Sequence, residues 1–409
     1  MNITIITPSF PYPLTSGGAQ AQFNMIDRIR KIHNITIIYI ENRNTSKKNI
    51  MALQSMWPDV RIVPYPVIRQ LTYPRYVCDK AVRAFKLLFM SHNVRFIVER
   101  ALKPYGIYFT KDLVGFINDT ITRHNTDIIQ VEFFQCLHLV NYLPQNIKKI
   151  FIHHEIRFIR NQRLLSHIKL TRKETKLFET VKQQEINDLN KYDTVVTLTD
   201  TDKNILSSNN VKSDIVVSPA AVNTAVKNYN GWNNHIVFLG GYGHKPNAEG
   251  LDWFINNVAS AIDWTKYNQV ELHMIGNGWP ASVIQHYKES TKLPITYHGF
   301  VEDLSSVAYG AIMIVPILTG SGMRMKILEA ASLGMPFITT SVGVEGLNFK
   351  DNDSCFIGDT PAEWKDKLER LMSCEELRKQ YTSKALKIFQ DNYSIDALSK
   401  RRAEIYKQH

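Results

Sequence analysis

Residues 311–347, AIMIVPILTGSGMRMKILEAASLGMPFITTSVGVEGL, decide the fold. They read as a strand, a glycine loop, a helix carrying an acid at Glu329, and a second strand. Loops of this kind hold anions. Backbone N–H groups at a helix N-terminus are unpaired and the helix dipole is positive there, so a diphosphate sits well beside Gly320, Ser321, Gly322 and Met323. Arg324 and Lys326 add two positive side chains in the first turns. Glu329 follows further along the helix, where a carboxylate accepts hydrogen bonds from ribose hydroxyls. Lys326 and Glu329 share a helix face; Arg324 has to act from the first turn.

Working outward, the same alternation fills the rest of the chain. Residues 2–7 and 35–40 read as buried parallel strands with a helix from about 19 to 32 between them. Further strands are predicted at 60–64, 127–132, 149–153 and 193–198, and helices at 76–102, 110–124, 170–190 and 200–207. After a polar crossing near 213–234, a second series has strands at 235–239, 270–275, 295–298, 311–316 and 336–340. The expected class is α/β, with two Rossmann-like doubly wound domains facing across a cleft and ligand at the carboxyl ends of their strands. The domains are read as 1–222 and 223–392, with a closing helix within 393–409 returning to the first.

A chain of 409 residues is too long for one ordinary core, and an apolar fraction of 44% with 21% charged residues is that of a soluble globular protein. Cysteines 78, 136, 355 and 374 have neither metal-ligand spacing nor a paired pattern, so reduced thiols in a cytosol are expected. Met1 runs straight into an apolar strand, which argues against a signal peptide. No apolar run reaches the roughly 18 residues a membrane span needs.

Charge is unevenly placed. Residues 1–225 hold 30 Lys+Arg against 18 Asp+Glu, whereas 226–409 hold 19 against 20. A polybasic first half is drawn to anionic lipid headgroups or an acidic acceptor; a solvated basic face without a partner is the plain alternative. The helix 76–90, mixing basic and apolar residues, either rests on a membrane surface or packs on the sheet. Nucleic acid is not expected, since the basic residues are spread out and no recognition motif accompanies them.

The stretch Gly320-Ser321-Gly322-Met323-Arg324-Met325-Lys326-Ile327-Leu328-Glu329-Ala330, continued through Gly334, Pro336 and Ser341–Gly346, resembles the donor-site signature of the retaining GT-B glycosyltransferases of family 4, in its G-G-x-R-x-K-x-L-E version. The common family pattern has two glutamates eight positions apart. Ser321 stands at the first, and only Glu329 survives. Many relatives also carry an arginine after the first glycine of the loop at 240 and a lysine six residues later; here those positions are Gly241 and Asn247. A diphosphate leaving group needs neutralisation, so Arg324 and Lys326 are the expected replacements, with His244 and Lys245 as lesser candidates.

The resemblance implies further roles. Gly240, Gly241, Gly276, Phe300 and Val301 would line the donor, the last two flanking the base. Ser16, Gly17 and Gly18, at a strand-to-helix turn, would form the acceptor-side loop; a tight turn is the plain reading. His154 is preferred over His153 as the functional histidine, because His154-Glu155-Ile156-Arg157 resembles the H-N-V-E segment of relatives. Glu132 is expected to point into the cleft, with an ion-pair role as its alternative. Asp351-Asn352-Asp353 has a metal-binding D-x-D form but falls in a polar turn, and no metal or cofactor is expected.

The implied activity is transfer of a hexose from a UDP- or GDP-sugar to a lipid-linked or polysaccharide acceptor, with retention and without metal. Its implied setting is cell-surface polysaccharide biosynthesis, in the cytoplasm or peripherally at the inner membrane face. Two competing readings are a nucleotide-sugar epimerase or phosphorylase on the same fold, and a catalytically retired binding or scaffold subunit, the latter motivated by Ser321, Gly241 and Asn247. A plain dehydrogenase is disfavoured because no G-x-G-x-x-G follows the first strand.

Overall fold

The computed structural model describes residues 1–14, 17–41, 46–66, 77, 78, 81, 94–103, 107–220, 226–267, 269–320, 323–395, 397, 398 and 404–406. The candidate residues Ser16, Ser321 and Gly322, the crossing at 221–225, and nearly all of the predicted helix 76–90 fall outside these. The chain separates into two compact units: Met1–Ala220 with Ser399–His409, and Ala221–Leu398.

The first unit is built on a seven-stranded parallel sheet in the order β3-β2-β1-β4-β5-β6-β7. β1 (Asn2–Thr7) and β2 (Asn34–Ile40) are near-identical runs rich in isoleucine and pair in register from Asn2 opposite Asn34 to Thr7 opposite Tyr39. Continuous β-branched runs suit a strand buried on both faces, and both strands are buried almost throughout. Alternate residues go to opposite cores: Ile3, Ile5, Ile35 and Ile37 pack with Ile26 and Trp57, while Ile6 and Ile38 pack with Ile129, Val131 and Phe151. Each such side chain stabilises the fold by about 1.5–3 kcal/mol. β3 (Arg61–Tyr65), β4 (Ile128–Glu132), β5 (Lys148–His153), β6 (Thr194–Thr197) and β7 (Asp214–Val217) complete the sheet.

The second unit has a six-stranded parallel sheet, β10-β9-β8-β11-β12-β13. Its strands are β8 (His235–Leu239), β9 (Glu271–Ile275), β10 (Ile295–Gly299), β11 (Ile312–Val315), β12 (Phe337–Thr339) and β13 (Phe356–Ile357). One face, with Ile236, Phe238, Leu272, Met274, Ile312 and Ile314, packs on Phe254, Trp364 and Leu368. In each sheet the chain begins centrally, walks to one edge, and returns to the other side of its first strand. The order therefore reverses between β1 and β4, and between β8 and β11. Those are the switch points where loops diverge and a ligand crevice opens.

The helix Arg157–Leu165 and the 3-10 helix Phe134–Tyr142 carry no local signal. The first has no side-chain cap of its own; instead the buried Glu185 carboxylate accepts from the N–H groups of Arg157 and Phe158, both at 3.1 Å. A cap supplied from 27 residues away is invisible to local reading. Asp351 accepts from Lys367 at 2.9 Å and Asp353 pairs with Lys384, so both D-x-D carboxylates serve surface ion pairs. Among the described residues no helix is long and apolar enough to cross a membrane.

Candidate active site

In the second unit the loops after β8, β9 and β10 are tied together by their backbones. Gly240 N–H donates to Ile275 O at 2.7 Å, Tyr242 N–H to Asn277 O at 3.0 Å, and Gly276 N–H to Gly299 O at 2.7 Å. Trp279 Nε1 adds a bond to Gly240 O at 2.9 Å. This closeness requires Gly276: its φ is +136°, and a Cβ there would lie 2.4 Å from the Gly240 carbonyl. Gly276→Ala is expected to destabilise the unit by about 1–3 kcal/mol from backbone strain alone, with the clash in addition, lowering the thermal midpoint. An unchanged midpoint would mean the loops separate without cost.

Gly241 is also tightly placed, since a Cβ would stand 3.1 Å from Asn277 O. Any longer side chain at 241 has to displace that carbonyl. Asn247, six residues on in the helix Lys245–Asn257, is buried and bridges two elements. Its Nδ2 donates to Gly241 O at 3.1 Å, and its Oδ1 accepts from Lys326 Nζ at 2.8 Å. The position without a cation thus holds one that arrives from elsewhere in the chain.

Lys326 is the second residue of the helix Met325–Ser332, for which Arg324 is the N-cap. Its ammonium lies between Asn247 and the Phe238 ring, 5.3 Å from the ring centroid. Burial, reinforced by the charge of Arg324 and opposed by Glu329, lowers this amine from an ordinary 10.5 to about 7. Arg324 folds back toward the loop: a Cβ on Gly320 would be 3.2 Å from its Nη2. Glu329 is buried one turn beyond Lys326. The structure therefore brings Gly320, Arg324, Lys326 and Glu329 together after β11, and joins them through Asn247 to Gly240 and Gly241 after β8.

The lesser candidates stand apart. Lys245 is 69% exposed at its side chain and pairs with Glu249 at 3.0 Å, so its charge is already countered. His244 is an exposed N-cap residue that makes no side-chain cap. Phe300 is 51% exposed in the loop after β10, presenting an apolar ring to solvent, and Val301 adjoins it.

In the first unit a second group gathers at its switch point. Glu132 ends β4, and His154 follows β5 directly. His154 Nε2 is 2.5 Å from Glu132 Oε2, and its ring stacks on Phe133 with centroids 4.1 Å apart. Phe133 adopts φ 63°, an unusual conformation for a bulky residue, which holds its ring under the imidazole. Gly18, in the first turn of the helix Gly17–Ile29, lies against the same ring: a Cβ there would be 3.3 Å from Phe133 Cε1. His153 is enclosed, 3.6 Å from Glu185, while the His154 side chain remains 12% exposed.

The ion-pair alternative fits Glu132, whose side chain is fully buried. Its other oxygen accepts from Gln130 Nε2 at 2.5 Å, and Gln130 Oε1 in turn accepts from the Tyr406 hydroxyl. Both carboxylate oxygens are thus used internally, and the group supports His154. Neither Gln130, Phe133 nor Tyr406 was marked by the sequence, and the only hint was a polar pair, Gln130 and Glu132, alternating within an otherwise apolar strand.

Residues 233–374 match the family model described as glycosyl transferases group 1. No curated protein sequence matches the chain. Among solved structures it is similar to TarM, with a TM-score of 0.69 at 12% identity over 100% of this chain and 99% of that one. It is likewise similar to sucrose-phosphate synthase from Thermosynechococcus elongatus, with a TM-score of 0.67 at 12% identity over 100% and 98%. Anabaena HepE in complex with UDP-glucose gives 0.64 at 10% identity over 100% and 99%. These likenesses show the fold: two parallel-sheet, Rossmann-like α/β units of the GT-B class.

Proposed function

We propose that the chain transfers a hexose from a nucleoside diphosphate sugar, UDP- or GDP-linked, to a lipid-linked or polysaccharide acceptor, with retention and without a metal at the donor. The observation that carries this reading is the enclosed Lys326 ammonium, held by Asn247 beside Arg324 and the Gly320 loop. Arg324 disfavours the charged Lys326 amine and Glu329 favours it, so a bound diphosphate would add to the support for that charge. The match of residues 233–374 to glycosyl transferases group 1 supports the same chemistry. Anabaena HepE has been seen with UDP-glucose, which makes a uridine donor the first to try.

In this reading Arg324, Lys326 and the amides around Gly320 and Met323 take the diphosphate, Glu329 the ribose hydroxyls, and Phe300 with Val301 the base. The bond from the anomeric carbon to the leaving phosphate oxygen breaks as the acceptor oxygen bonds on the same face, and the acceptor proton passes to that phosphate oxygen. Countering the charge that grows on the leaving diphosphate is the largest electrostatic task. Gly17, Gly18 and His154 belong to the acceptor side, with Glu132 fixing the imidazole. The basic first unit would favour an anionic acceptor or a membrane surface carrying it, placing the protein peripherally at the inner face.

Lys326 supplies the test. In the ligand-free protein its amine titrates near 7, whereas an amine against a diphosphate stays charged to higher pH. Above about pH 7, UDP binding should therefore take up to one proton, and affinity should weaken by up to about tenfold per pH unit. Calorimetry in buffers of different ionisation enthalpy reads the proton directly, and Lys326→Met should abolish the uptake. Binding that is proton-neutral at pH 8–9 would remove Lys326 from the diphosphate. Product NMR decides retention, and slow release of nucleoside diphosphate from one donor separates the enzyme from a retired scaffold.

A further inference from the structure

The six-stranded sheet carries another polar cluster, toward the end of β8 and β9 away from the Gly240 and Gly276 loops. His235 and Glu271 are the first residues of these strands and stand opposite one another in the register. His273 follows two residues along β9, on the same face. This is the face opposite the Ile236–Leu272–Ile312 core. The imidazoles of His235 and His273 lie 4.0 Å apart, and His298 of β10 stacks on His273 at 4.9 Å.

The hydrogen bonding is incomplete in a particular way. His273 Nδ1 is 2.8 Å from His298 Nε2 and is satisfied there. Glu271 Oε1 accepts from the Thr296 hydroxyl. Turned inward are three atoms: His235 Nδ1 and His273 Nε2, both enclosed and without a hydrogen-bond partner among the described residues, and Glu271 Oε2. His273 is only 7% exposed, and its Nε2 makes a long ion-pair contact of 3.5 Å with Glu271 Oε2. One ligand atom from each of the three residues lies within 4.8 Å of those of the other two. One shared cation would satisfy both enclosed nitrogens.

We propose that His235, Glu271 and His273 bind a first-row divalent metal, zinc by best fit, as a structural clamp across the starts of β8 and β9. Two imidazoles and a carboxylate form a known zinc ligand set, with a fourth position for water. Tetrahedral zinc with bonds of about 2.0–2.2 Å holds its ligand atoms roughly 3.3–3.6 Å apart, the separation already present between Glu271 and His273. Bringing His235 in takes a shift on the order of 1 Å, within reach of a side-chain rotation. His298 acts as a positioning residue: by accepting from His273 Nδ1–H it leaves Nε2 bare for the metal. The clamp is separate from the proposed donor site and supplies no step of the transfer.

The test uses the full chain, stripped with a chelator and titrated with zinc against a chromophoric competitor. One equivalent should bind more tightly than about 1 µM. His235→Gln, Glu271→Gln and His273→Gln should each weaken it at least a hundredfold, and His298→Gln by about 10–100-fold. Replacing the exposed Cys78 and Cys374 with serine should leave it unchanged. Saturating zinc should raise the melting temperature of the wild type and not of the three ligand variants. Absence of a bound equivalent, or equal affinity in wild type and ligand variants, overturns the proposal. Should a variant fail to fold, cobalt absorption of the wild type decides: bands without a thiolate charge-transfer feature support the cluster, and a thiolate band overturns it.

Discussion

Lys326→Ala is expected to lower kcat/KM for the nucleotide sugar by about 10²–10³-fold while the protein stays folded. The magnitude is that of removing one preorganised group aimed at charge developing in a transition state. Stability should not fall with it. Lys326 titrates near 7 when folded and at an ordinary 10.5 when unfolded, so the unfolded chain holds more protons between those values. Its penalty on the native state is full below about pH 7 and fades as pH rises toward 10.5. Truncation removes that penalty together with the bond to Asn247 and the contact with Phe238, so the variant should melt close to the wild type near neutral pH. Lys245→Ala is the control: an exposed lysine paired with Glu249 should change kcat/KM by less than about threefold. Equal effects of the two substitutions, or an unaltered rate in Lys326→Ala, would dismantle the diphosphate assignment.

The reason Lys326 could be singled out from sequence is local. Strand, loop, helix and acid follow one another within 311–347, and each step is set by neighbours in the chain. Its holder was not legible. Asn247 reads as a lost cation, because its bond to Lys326 spans 79 residues and exists only once β8 and β11 are adjacent. The alternating apolar runs likewise specify parallel strands, but alternation tells which face a residue takes and not what covers it. Glu132 shows the consequence: it ends its strand on the side the pattern assigns, yet Gln130 and His154 close over it. The helix Arg157–Leu165 fails for the same reason, since its cap is the distant Glu185. The metal-like trio shares this non-local origin, since His235 meets Glu271 and His273 only through the β8–β9 register.

Glu132→Ala should be the most damaging single change to the first unit. The carboxylate lies at the centre of a chain that runs from Tyr406 through Gln130 to His154, with the Tyr406 contact spanning 276 residues. Removing it strands an enclosed amide and an imidazole nitrogen, and breaking a buried pair of this kind costs about 3–5 kcal/mol. Glu132→Gln is the informative partner. An amide keeps one acceptor and gains a donor, so Gln130 and the imidazole can both be satisfied once His154 moves its proton from Nε2 to Nδ1. Glu132→Gln should then cost roughly 1 kcal/mol or less in stability while altering turnover, because the other nitrogen of His154 changes from acceptor to donor. His154→Ala should lower turnover without the large loss of stability. A carboxylate acting directly on substrate predicts the reverse: Glu132→Gln as inactive as Glu132→Ala, with both melting near the wild type. That pattern would return Glu132 to the ligand side and leave His154 without the support that fixes its ring.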